Sequence, residues 1–140
     1  MTIATLTRSA ACAALLFAAA ACSSTTVKAT PLSPNYTAAQ EALAVDDFDA
    51  AKVALNALAS ESSGDFQKEI QTATTAADID SMRLAFRSAS DILIKNGVPA
   101  QYAVAYCPMY KGGSSWIQKK GSIVNPYTGK SMPGCGAFKE

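Results

Sequence analysis

Two short stretches near the C-terminus, Cys107-Pro108-Met109 and Met132-Pro133-Gly134-Cys135, each place a thiol and a thioether within three residues of one another. Of the methionines beyond Met1, two lie here, and the third, Met82, falls on a helical stripe. Thiolate and thioether sulfurs are soft ligands that select soft monovalent ions, chiefly Cu(I) and by extension Ag(I). Zinc prefers Cys, His or carboxylate, and the chain has no histidine. Between the stretches, Asn125-Pro126-Tyr127-Thr128-Gly129 has the composition of a turn, with Pro126 fixing its own φ and Gly129 free to adopt a positive one. Such a turn folds Cys107, Met109, Met132 and Cys135 toward one another as a candidate metal set. Gly134 and Gly136 flank Cys135 and let the backbone pass close to whatever the sulfur binds.

The elements that carry this tail read as mainly α. Residues 35–97 predict about four helices joined by short turns, hence a small antiparallel bundle. Asn35 is a candidate cap for a first helix with Tyr36, Ala39 and Leu43 on one face. Asp46 and Asp47 offer caps to a second, with Phe48, Ala51, Leu55 and Leu58 aligned, and Ser62-Ser63-Gly64 interrupts it. A third follows Asp65 through Phe66, Ile70, Ala73 and Ala77. The strongest period runs from Asp78 to Lys95 through Ile79, Met82, Phe86, Ala89 and Leu93, and Asn96-Gly97 is its left-handed stop. The many alanines permit close helix approach but bury little area each, so the few large apolar residues matter most. Residues 98–140 predict an irregular strand-and-turn segment, with a strand where Tyr102, Val104 and Tyr106 alternate with alanines. Trp116 either shields the metal site or, more commonly for a lone tryptophan, anchors the core, and Tyr102, Tyr106, Tyr110 and Tyr127 pack the same segment. Arg83 with Asp80 and Arg87 with Asp91 read as helix-surface ion pairs of little worth.

The N-terminus reads as an export signal. Arg8 is the only charge before Lys28, and the apolar run from Ala10 to Ala21 is shorter than the roughly 20 residues a spanning helix needs. Ala19-Ala20-Ala21-Cys22 resembles a lipobox, which predicts a signal peptide over 1–21, lipid on Cys22 and a flexible Ser/Thr/Pro tether over 22–34. Ser23 after the cysteine favours the outer membrane, with the domain on the periplasmic side. The remaining chain suffices for one domain, 35–140. Its charges balance once Arg8 is removed, and no basic field draws it to nucleic acid. They are nevertheless segregated: ten acids against five bases from Asn35 to Asn96, then five lysines and only Glu140 from Gly97 onward.

The stretch from about Tyr36 to Lys139 resembles a periplasmic domain of uncharacterised function. That domain recurs at the end of copper/silver efflux adaptor (membrane-fusion) subunits and in free-standing exported proteins of heavy-metal resistance loci. Tyr106-Cys107-Pro108-Met109, Ser115-Trp116, Asn125-Pro126-Tyr127 with Gly129, and Met132 with Cys135-Gly136 carry the resemblance. Ala42-Leu43, Asp46-Asp47-Phe48 with Ala50-Ala51-Lys52, and Asp80 with Arg83, Phe86 and Ser88 match it more loosely. What the resemblance implies is heavy-metal handling beside an efflux system, with Cys107, Met109, Met132 and Cys135 as ligands. The chain has no room for the adaptor's hairpin and barrel domains, so it is not itself the adaptor.

A second reading stays open on the same residues. Two cysteines 28 positions apart in an exported domain commonly form a disulfide, and a loop of that size stabilises by roughly 3 kcal/mol on the entropic model. Composition alone favours that staple, whereas the paired methionines and the resemblance favour the metal site. The function classes are accordingly a membrane-tethered Cu(I)- or Ag(I)-binding module and a disulfide-stapled interaction lipoprotein. An enzyme is the least expected class. There is no histidine base and no Gly-rich phosphate loop, and the cysteines lack the two-residue spacing of a thiol oxidoreductase.

Overall fold

The computed structural model describes residues 31–140. The signal segment, Cys22 and the tether as far as residue 30 lie outside the described residues. The rest is mainly α: four helices followed by a small three-stranded antiparallel sheet and an irregular loop. The helices are α1 (Pro34–Ala44), α2 (Phe48–Ser60), α3 (Gly64–Thr74) and α4 (Ile79–Asn96).

Local chemistry sets their ends. Ser33, and not Asn35, caps α1: its hydroxyl accepts from the Asn35 N–H at 3.0 Å, and Pro34 occupies a position where its missing donor costs nothing. The last residues assigned to the tether therefore belong to the domain, and Leu32 packs against the core. Asp47 caps α2 through the Ala50 N–H at 2.9 Å, and Asp78 caps α4 through the Ser81 N–H at 2.7 Å. Gly97, at φ 102°, ends α4 as expected. Helix α3 stops at Thr74, so Ala77 is exposed in the connecting turn and off the predicted stripe.

The predicted stripes otherwise meet in one core. Tyr36, Leu43, Leu55, Ile70, Met82 and Phe86 are fully buried, with Ala39, Ala51, Ala73 and Ala89 between them where the helices come close. An aromatic cluster joins bundle to sheet: Tyr36 stacks on Phe86 at 5.0 Å, and Tyr127 lies 6.3 Å from Phe86 and edge-on to Trp116 at 5.7 Å. The Tyr36 hydroxyl contacts Ser90 of α4 at 2.7 Å and accepts the Ile117 N–H at 3.1 Å, tying three elements at one atom. Burial pushes its pKa up to about 12, so it stays a neutral phenol.

The sheet orders its strands β2-β1-β3, with β1 (Tyr102–Cys107), β2 (Ser114–Lys119) and β3 (Ala137–Phe138). Strand β1 pairs with β2 from Tyr102 opposite Lys119 to Cys107 opposite Ser114, and with β3 through Ala105 opposite Phe138. Trp116, Ile117 and Gln118 of β2 are buried. Three successive buried residues break the two-residue period, because one strand face meets the bundle and Gln118 on the other is covered by the loop that follows.

Candidate metal and thiol site

The loop from Gly121 to Gly136 has almost no regular structure, so buried side chains replace the hydrogen-bond ladder that would otherwise hold it. Gln118 accepts the Val124 N–H at 3.0 Å and donates to the Ser122 carbonyl at 2.8 Å, while Gln40 of α1 donates to the Val124 carbonyl at 2.6 Å. Asn125, with no exposed surface, does most. Its carboxamide oxygen accepts the N–H groups of Tyr127 at 2.8 Å and Thr128 at 3.2 Å. Its Nδ2 donates to the Cys135 carbonyl at 2.7 Å, and its backbone N–H donates to the Pro133 carbonyl at 3.0 Å. Asn125 thus turns the chain at Pro126 and pins the returning segment that bears Cys135.

A second clamp joins this loop to the helices. Arg83 is only 5% exposed, so it is no helix-surface residue, and its contact with Asp80, at 3.4 Å, is the weakest it makes. Its Nε donates to the Pro126 carbonyl and its Nη2 to the Leu43 carbonyl, both at 2.8 Å, and Nη2 also pairs with Asp46 at 2.5 Å. Asp46 in turn accepts the Lys130 N–H at 3.1 Å. The hydrogen bond from Arg83 lowers the Asp46 pKa below its ordinary value, against the opposing effect of burial. Gly129, at φ +53°, packs on this pair so tightly that a Cβ there would strike Asp46 Oδ1 and Arg83 Nη2. The expectation of a cheap surface pair fails because α4 presents Arg83 inward, toward the Pro126 carbonyl of the loop and the Leu43 carbonyl at the end of α1.

With the loop held this way, the two thiols meet. Cys107 Sγ and Cys135 Sγ lie 2.8 Å apart, and both cysteines are free. Cys107 ends β1 and is fully buried, while Cys135 is partly exposed on the loop. Burial raises the Cys107 pKa. Donation to its sulfur from the Cys135 thiol, the Met109 and Tyr110 N–H groups and the Asn125 amide outweighs burial and leaves it lowered from 9.0. Cys135 is raised, first because its thiol hydrogen-bonds to Cys107, then by burial and the neighbouring negative charge. Of the two thiols Cys107 is therefore the more acidic.

Met109 and Met132 belong to the same two turns but point outward, 67% and 42% exposed. Their backbones serve the site: the Met109 N–H faces both sulfurs, and the Met132 carbonyl accepts the Cys135 N–H at 3.1 Å. The structure brings together the two cysteines of the predicted set, and it leaves the two thioethers at the surface beside them in sequence, not packed against the thiols. Trp116 is a core anchor, fully buried, with its indole N–H on Gln118 at 2.9 Å. Its ring also stands beneath Gly136, where a Cβ would come within 3.1 Å of it, so it floors the turn next to Cys135.

The donor set suits a soft ion in kind and only partly in geometry. Among the described residues no group of three or more His, Cys, Asp or Glu side chains is placed to hold a metal. An ion held by the pair would take two thiolates, and the exposed thioethers of Met109 and Met132 would be the soft ligands left to add to them. At metal–sulfur distances of about 2.3 Å, sulfurs only 2.8 Å apart subtend too acute an angle for one ion between them. The pair must open by roughly an ångström, and Gly134, with open space around its Cα, lies where the loop can give. A groove of about 550 Å³ at the other end of the domain, lined by Leu32, Tyr36, Leu58, Phe66, Leu93 and Pro99 among others, contains neither cysteine.

Comparison with protein-family models, with curated proteins and with solved structures yields no match. The resemblance to the efflux-associated domain therefore stands on its motif residues.

Proposed function

We propose that this chain is a membrane-tethered, periplasmic binding protein for soft metal ions, Cu(I) and by extension Ag(I), serving copper homeostasis or efflux. The observation that supports this most is the meeting of Cys107 and Cys135 at 2.8 Å from segments 28 residues apart, in a chain without histidine. Backbone N–H groups and the Asn125 amide stabilise a thiolate there, and methionines on both turns remain free to close over an ion. Two charged sulfurs provide affinity, while exposed thioethers let a bound ion pass to another soft-ligand protein. The tether joins the domain at Ser33, at the start of α1, whereas Asp46 beyond the other end of α1 holds the turn at Lys130.

The same sulfur separation favours a second reading, in which Cys107 and Cys135 close as a disulfide that staples the loop as a docking surface without metal. Competition for Cu(I) separates the two. Anaerobic, fully reduced protein titrated against a chromogenic Cu(I) chelator should withdraw one equivalent of copper. Cys107→Ser or Cys135→Ser should abolish this, and Met109→Leu with Met132→Leu should weaken it by about tenfold or more. Full retention of copper by the chelator at near-stoichiometric protein rejects the metal reading, and affinity unchanged in the methionine variant rejects the thioethers as ligands.

A further inference from the structure

The two cysteines differ in ways that matter to sulfur chemistry apart from metal. Cys107 is sealed: it sits at the end of a central strand with no exposed surface. Cys135 is the accessible partner, between Gly134 and Gly136 on a turn whose residues Lys130 to Gly134 are exposed. Thiol–disulfide exchange discriminates on this difference, since the attacked sulfur must be reached along the S–S axis.

The geometry points to a polarised thiol-exchange site, in which Cys135 is the sulfur that an incoming thiolate attacks and Cys107 is the sulfur released. In the oxidised protein the thiolate of a reductant forms a bond to Cys135 Sγ as the Cys107–Cys135 bond breaks. The electron pair leaves on Cys107 Sγ. A second thiol on the reductant then displaces Cys135, which takes up a proton, and the reductant leaves as its own disulfide. A monothiol stops at the mixed disulfide or is expelled when Cys107 closes again. The ligand class is therefore a thiol, and a dithiol is the one that completes the reaction. The site stands whether or not the pair takes up metal, and where it does, this step is the one that opens it.

The test uses the whole domain with the pair oxidised. Glutathione is added, the reaction is quenched in acid, and the modified cysteine is mapped by mass spectrometry. Glutathione should appear on Cys135 in at least about tenfold excess over Cys107, and dithiothreitol should carry the protein through to the free dithiol. A complementary arm treats reduced single variants with glutathione disulfide. Cys107→Ser should accept glutathione on Cys135 readily, whereas Cys107 in Cys135→Ser should react at least about tenfold more slowly in buffer and no more slowly in denaturant. Equal labelling, preference for Cys107, or an oxidised protein in which no Cys107–Cys135 bond forms would overturn the assignment.

Discussion

Asn125→Ala is expected to lower the unfolding free energy by about 3 kcal/mol, from two or more buried polar groups left unpaired at roughly 1–3 kcal/mol each. The residue is wholly buried, and its carboxamide alone satisfies the N–H of Tyr127 and the carbonyl of Cys135. Alanine fills neither role and opens no path for water to Tyr127, which is itself 2% exposed. The loss extends to the sulfurs, because the turn at Pro126 and the segment bearing Cys135 are fixed to each other through this side chain. Urea denaturation of the reduced protein measures the first effect and the pH profile of Cys107 alkylation the second, with its midpoint moving up as the amide donor is lost. Asn125→Asp keeps the acceptors for Tyr127 and Thr128 but adds negative charge near a thiolate, so it should restore part of the stability and none of the thiol acidity. A loss under about 1 kcal/mol in the alanine variant would show that the loop is held elsewhere.

Arg83→Leu should cost about as much, roughly 3 kcal/mol, the lower end of what breaking a buried charge pair removes. The Pro126 carbonyl loses its donor, the Leu43 carbonyl keeps only backbone N–H groups, and Asp46 loses the guanidinium that holds it beside Gly129 and Lys130. Asp46→Asn should cost less, because its side chain is 39% exposed and solvent takes over part of the pairing. The two variants also differ in their dependence on pH. Asp46 has a lowered pKa in the folded state, so its contribution is present above the ordinary aspartate range and is lost as pH falls through the folded value. The wild-type protein should therefore lose stability more steeply on acidification than Asp46→Asn. Parallel curves between about pH 5 and pH 2 would contradict the clamp.

How much of this was legible in the sequence depends on which interaction carried it. The helices were, because caps at Asp47 and Asp78 and the stripes through Leu55, Ile70 and Phe86 are local or periodic signals. Asn35 was a plausible cap that lost to Ser33, since Pro34 fits the first helical position and cannot precede it as freely. The meeting of Cys107 with Cys135 was also within reach, from the turn composition between them. What the residue pattern could not give is the direction in which a side chain leaves an irregular loop. Met109 and Met132 were expected beside the thiols and lie exposed, because nothing in the sequence fixes which way a flexible thioether leaves a turn. Arg83 and Asp46 are far apart in sequence, and the reading of Arg83 with Asp80 took the neighbour in the helix for the partner in the fold. Asn125 was recognised as a turn residue, but a fully buried asparagine between two proline-bearing turns signals more than a bend. Its four polar partners are what make the sulfur pair possible.

Soft-ion binding at the cysteine pair is tested most directly by copper K-edge X-ray absorption on reduced protein loaded anaerobically with one equivalent of Cu(I). The account predicts a first shell of sulfur alone, at about 2.2–2.3 Å, that collapses in the Cys107→Ser, Cys135→Ser double variant. A shell of nitrogen and oxygen, or a spectrum the double variant reproduces, would contradict it.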